Sequence, residues 1–246
     1  MPNEILISHR CFADPLSIPF KTHAHDKWEF LWIAQGNPIC MVEGKRYAIE
    51  EKTLLVFKPA QVHRVYTSKL CPYEYISLMC EETVLPSVFA ENIAGDVGVF
   101  QFKNADIIYR RFLELHQQME TMERSSVMKQ MLSQVFEDLR EDFKPTLLSE
   151  DKIVRAAVSY IEDNVHDIVR VKTICNAVGV AKETLYSHFI QTMLISPMKY
   201  VWAKKAAIAK IEISNQENGL EILEKYGFKN KTDFLDEYAS FYKSVP

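Results

Sequence analysis

The sequence predicts a two-domain α+β chain: an N-terminal antiparallel β-barrel with helices after it, then an all-α domain of two helix-turn-helix units joined by a long helix. Three observations carry this. Apolar residues recur with a period of two from about residue 5 to 102, and turn residues separate the short runs. The period becomes helical from about residue 104. Beyond Glu150 the helical pattern continues to Pro246, broken by glycines at two matching places, Gly179 and Gly227.

In the first regime Phe30 to Ile33 precedes the turn Gln35-Gly36-Asn37-Pro38, and Ile39 to Val42 precedes Glu43-Gly44-Lys45. Tyr47-Ala48-Ile49 follows, and then Leu54 to Phe57, which stops before Pro59. Short strands at such regular spacing indicate a sandwich or barrel. The second regime has one apolar stripe through Ile108, Phe112, Leu115, Met119 and Met122. Ser125-Ser126 supplies a helix cap, and a second stripe runs through Met128, Met131, Leu132, Val135, Phe136 and Leu139. Lys144-Pro145 ends it. The chain therefore divides into residues 1–103, a helical segment 104–144, a linker 145–149 and residues 150–246.

The last regime reads as helices near 151–164, 171–178, 182–192, 197–212, 219–226 and 231–242. Ile174 to Val180 and Ile222 to Phe228 share the form I-x-x-x-x-G followed by an apolar residue. Each precedes a helix whose apolar anchors lie four apart, Leu185 and Phe189, then Phe234 and Tyr238. A helix, a glycine turn and a second helix with one buried face can present its other face to a major groove. One copy is a weak signal. Two copies joined by a long helix are far more specific.

Composition excludes several classes. At 48% hydrophobic and 25% charged the chain is ordinary globular protein, not a disordered one. The apolar runs are too short to span a membrane, and the start lacks a basic-then-apolar leader pattern, so the cytoplasm is the expected location. Five cysteines without a CxxC pair suggest neither a disulfide framework nor a zinc finger. Residues 1–148 hold 16 Lys+Arg against 20 Asp+Glu, and residues 149–246 hold 13 against 13. The helical domain thus lacks the basic excess common in nucleic-acid binders.

Residues 150–246 resemble the DNA-binding domain of the AraC/XylS family of bacterial regulators over its whole length. The resemblance rests on Ser196-Pro197-x-x-Tyr200, Gly227-Phe228 and the closing Val245-Pro246. It implies that two units read successive major-groove faces of double-stranded DNA. It places groove-facing positions at Glu183, Tyr186 and Ser187, with His188 beside them, and at Lys231, Thr232, Leu235 and Asp236. Lys182, Lys204, Lys205, Lys229 and Lys231 are the candidates for holding phosphates. The chain departs from the family at Ile190-Gln191 and Ala239-Ser240, where basic residues are usual, and at Asp236, where arginine is frequent. Asp233, Asp236 and Glu237 form an acidic face that repels phosphate, which keeps open a degenerate partner protein that no longer binds DNA.

The second constellation is His23-x-His25-x-x-x-Glu29 with Pro59-x-x-x-His63. Alternation puts His23 and His25 on one strand face. With Glu29 and His63 they would form a three-histidine, one-carboxylate site suited to a divalent transition metal. The stretch Lys21 to His63 resembles the cupin sensor domain of the same regulators, matching at Glu29-Phe30, Gly36, Gly44 and Pro59 and departing at Lys52-Thr53. In that setting His23, His25, Glu29, Trp32 and His63 are expected to contact a small-molecule effector, with no cofactor required. The resemblance also implies a homodimer formed through the helical segment, and RNA polymerase as a further partner.

The reading is a ligand-responsive transcription regulator, not an enzyme. A metal-dependent cupin enzyme with a helical appendage stays open beside it, as does the degenerate partner.

Overall fold

The computed structural model describes residues 5–12, 21–67, 72–82, 85, 98–101, 105–117, 130, 133, 146–167, 169–215 and 218–242. The strands are β1 (Ile5–Phe12), β2 (Trp28–Gln35), β3 (Ile39–Val42), β4 (Lys45–Ala48), β5 (Thr53–Phe57), β6 (His63–Tyr66), β7 (Tyr73–Cys80), β8 (Gly98–Gln101) and β9 (Thr146–Glu150). The helices are α1 (Ala105–Gln117), α2 (Lys152–Asp163), α3 (Val171–Val178), α4 (Lys182–Met193), α5 (Pro197–Asn215), α6 (Gly219–Lys225) and α7 (Lys231–Tyr242). None of these helices is long and apolar enough to cross a membrane.

The strands form two antiparallel sheets, ordered β1-β7-β2-β5-β8 and β6-β3-β4-β9. They do not close into the expected barrel. Instead they pack face to face, with Leu31, Ile33, Leu55, Phe57, Tyr73 and Tyr75 of the first sheet meeting Cys40, Val42 and Val65 of the second. The alternation of β2 decides what goes where. Trp28, Phe30 and Trp32 point to the opposite face, where Ile108 and Phe112 of α1 cover them. Ile108 and Phe112 of the first apolar stripe are thus used inside the chain; the Leu115 side chain, Met119 and Met122, and the second stripe from Met128 to Leu139, lie outside what is described.

The expected linker is largely strand β9, which pairs antiparallel with β4 from Lys45↔Glu150 to Ala48↔Thr146. Its Thr-Leu-Leu-Ser-Glu sequence has no turn chemistry, and Leu147 and Leu148 stay exposed. At Lys52, where the resembled family commonly has glycine, the chain still turns: Lys52 adopts φ 61, and its amide donates to the Ile33 carbonyl at 2.7 Å.

The helices match the sequence reading closely. Asp151 caps α2, its side chain accepting from the Ile153 and Val154 amides. Gly179 ends α3 at φ 72, a left-handed conformation that a side chain would strain. Leu185 and Phe189 of α4 are fully buried with Val154, Ile161, Ile174 and Tyr200. Each such side chain contributes about 1.5–3 kcal/mol of burial. A second cluster gathers Ala206, Ala209, Leu223, Tyr226, Phe228 and Phe234. Helix α5 supplies residues to both, so it is buried almost all round rather than on one face.

Candidate metal and effector centre

The segment leading into β2 and the start of β6 bring the four candidate ligands together. His23 and His63 form an antiparallel bridge, exchanging backbone hydrogen bonds of 3.1 and 2.9 Å. Glu29 enters from β2 on its inward face. One ligand atom from each of His23, His25, Glu29 and His63 lies within 4.8 Å of all the others, and the four side chains are buried. Phe57 stacks on the His63 ring at 3.9 Å between centroids, fixing its plane.

The hydrogen bonds set the tautomers. A carbonyl can only accept, so each Nδ1 carries the proton: His23 donates to the Lys21 carbonyl (2.9 Å), His25 to Lys27 (2.7 Å) and His63 to Gln61 (2.9 Å). In a neutral ring the Nε2 atom then offers a lone pair. Yet His25 Nε2 and His63 Nε2 stand 3.2 and 3.0 Å from Glu29 Oε2, which is itself an acceptor. Ser77 of β7 donates to the other carboxylate oxygen at 2.6 Å. Lone pairs facing a carboxylate repel unless a cation, proton or metal ion, lies between them.

Burial, with His63 and His25 adding to it, drives the His23 pKa down to about 3, so that ring stays neutral. Burial alone would push the Glu29 carboxyl up; the His25 and His63 rings outweigh it and hold it well below the usual carboxylate range. A carboxylate facing three imidazoles is a divalent-metal donor set. Atoms about 2.1 Å from a common ion stand roughly 3–4 Å apart; the four ligand atoms, all within 4.8 Å of one another, need to draw in only slightly to share one. The Nδ1–carbonyl and Ser77–Glu29 bonds supply the outer support such ligands need. The residues fit a divalent ion.

Trp32, expected to face an effector, does not join this group. It lies three residues after Glu29, an odd step that turns it to the far face, where it stacks on Phe112 at 6.3 Å. Ser77 was invisible to sequence reasoning because nothing in its local pattern shows that β7 lies beside β2.

The helices present the other candidates. Lys182, Glu183 and Ser187 on α4 are exposed and Tyr186 is half-buried, with Lys182 Nζ 5.7 Å from the Tyr186 ring centre. Lys229, Lys231, Thr232, Leu235 and Asp236 are exposed at and near the start of α7. His188 instead contacts Asp151 Oδ2 through Nδ1 at 2.7 Å. Lys204 and Lys205, expected on the phosphates, are buried: Lys204 donates to Glu162 at 2.5 Å and lies 3.7 Å from Glu43, and Lys205 donates to the Asp167 carbonyl at 2.6 Å. Both charges are taken up within the chain, because α5 is buried over most of this stretch.

Solved structures give distant likenesses. A substituted apo ToxT from Vibrio cholerae strain SCE256 shares 12% identity, covering 97% of this chain and 93% of its own, at a TM-score of 0.47. CuxR, described as an AraC-like transcriptional activator, shares 13% over 88% of this chain and 78% of its own, at 0.41. A cupin protein from Bacteroides fragilis shares 14% over 38% of this chain and 80% of its own, at 0.31. No curated protein matches. Residues 12–151, more than half of the chain, match the family described as the AraC-like ligand binding domain, and the chain belongs to that family.

Proposed function

We propose that this chain is a ligand-responsive, sequence-specific DNA-binding transcription regulator. In this reading residues 1–103 sense the ligand, and residues 150–246 form two helix-turn-helix units with α4 and α7 as recognition helices. The observation that carries it is the division of those helices. Leu185, Phe189 and Phe234 are buried, while Lys182, Glu183, Ser187, Lys231, Thr232 and Asp236 remain open to solvent in the same chain as an AraC-like ligand-binding domain. A homodimer would raise affinity through effective concentration. The ligand site is the cluster of His23, His25, Glu29 and His63, which would hold a divalent transition metal, alone or bridging to a small effector. Such an ion supplies the positive charge that the carboxylate and the nitrogen lone pairs lack.

Gel retardation with the DNA upstream of the gene, at low salt, tests this. Retardation that changes with added Zn(II) or Mn(II) is expected. None under any condition counts against it. The buried donor set also suits a metal-dependent cupin enzyme. Turnover that follows bound metal and disappears with His63→Ala, without any DNA binding, would favour that reading.

A further inference from the structure

The residues that alternate with the metal-site histidines do something else. Thr22 and Ala24 are buried on the side away from the cluster, and Thr22 Oγ1 donates to the Met193 carbonyl at 2.6 Å. Met193 ends α4, and its carbonyl is one of the last-turn acceptors that the helix itself cannot satisfy. The two preceding carbonyls are held from the same domain: the Arg46 guanidinium donates to the carbonyls of Gln191 and Thr192. A cation at that end also suits the helix dipole. Ala24, with Met41, Ala60 and Val62, shares one apolar cluster with Leu185, Phe189 and Met193. At the other end of the segment, Tyr238 of α7 donates to Asp26 Oδ1 at 2.7 Å.

Five consecutive residues therefore carry two metal-site histidines on one side and a tie to each of α4 and α7 on the other. The segment is pinned from both flanks, by the His23–His63 bridge and by the Ala60 amide donating to the His25 carbonyl at 2.7 Å. It cannot shift at its ligands without moving its contacts to the helices.

We propose that residues 22–26 are the transmission element of this protein: ligation through His23 and His25 is reported to α4 and α7 through Thr22–Met193 and Asp26–Tyr238. This rests on the reading of the cluster as a metal-binding sensor. Occupancy stiffens the segment, which then holds the end of α4 and the middle of α7 more tightly.

Amide hydrogen exchange on the full chain, with and without Zn(II), tests the proposal alongside calorimetric metal affinity and DNA retardation on the same samples. Zn(II) should slow exchange at residues 190–194 and 236–240 about fivefold or more, the usual lower range of coupling between sites. Thr22→Val combined with Tyr238→Phe should keep wild-type Zn(II) affinity and lose the slowing. Tyr238→Phe alone, which removes a single hydroxyl, should lose it only in α7 and guards against misfolding of the double variant. Zn(II) binding without slower exchange overturns the transmission role and leaves the regulator reading standing. Absence of metal binding overturns it as well. Absence of DNA retardation in samples that do show the slowing overturns the regulator reading alone.

Discussion

Replacing Asp151 with alanine removes hydrogen bonds that cap α2 and tie its start to α4. Its Oδ1 accepts from the Ile153 and Val154 amides at 3.0 and 3.1 Å, and its Oδ2 meets His188 Nδ1 at 2.7 Å and Thr192 Oγ1 at 2.9 Å. Loss of a helix N-cap costs about 1 kcal/mol. Thr192 is buried, so stranding its hydroxyl adds roughly 1–2 kcal/mol, whereas half-buried His188 can turn to water. The total of about 2–3 kcal/mol lowers Tm by roughly 4–12 °C in a chain of this size. Acid should shrink this difference. Burial pushes the Asp151 carboxyl up, but the hydrogen bonds from Val154, His188 and Thr192 outweigh it, so its folded pKa lies below its unfolded one. A depressed carboxylate stabilises the fold above its unfolded pKa, about 3.9, and that stabilisation is lost as pH falls through the folded value. Urea denaturation at about pH 7 and pH 3 measures both. A gap below about 0.5 kcal/mol near neutrality, or one that grows in acid, would refute the reasoning.

Other outcomes follow from the same contacts. Ser77→Ala leaves the four ligands in place but frees a Glu29 oxygen, and should weaken Zn(II) binding about 10–100-fold by calorimetry; unchanged affinity would mean that Glu29 is held by other means. Lys52→Gly relieves a side chain held at φ 61 and should raise stability by about 1 kcal/mol in denaturant, whereas a loss would show that the Lys52 side chain does more than turn the chain. Lys182→Ala should reduce the salt slope of DNA binding by about one unit. Lys204→Ala should lower Tm and leave that slope alone, since its charge is spent on Glu162 and Glu43.

The helical half was legible because its signals are local. Apolar spacing and the turns at Gly179 and Gly227 fixed where helices end, within three residues at each boundary. The clustering of His23, His25, Glu29 and His63 was legible for a related reason, since the first three lie on one short stretch and share a parity. Applying the same parity to Trp32 would have excluded it. What stayed hidden depends on partners distant in the chain. The burial of Lys204 follows from Glu43 and Glu162, and that of Thr22 from Met193, neither of which the sequence places nearby. Strand β9 was read as a linker because its pairing partner, β4, lies about a hundred residues earlier, and an exposed Thr-Leu-Leu-Ser-Glu strand has no buried face to give it away.

Selection from a random DNA library with the purified full chain, with and without Zn(II), bears on the whole account. It predicts enrichment of one motif containing two short elements about one helical turn apart, near 10 base pairs, with a yield that depends on the metal. Recovery of random sequence at every salt concentration, with metal and without, would contradict it.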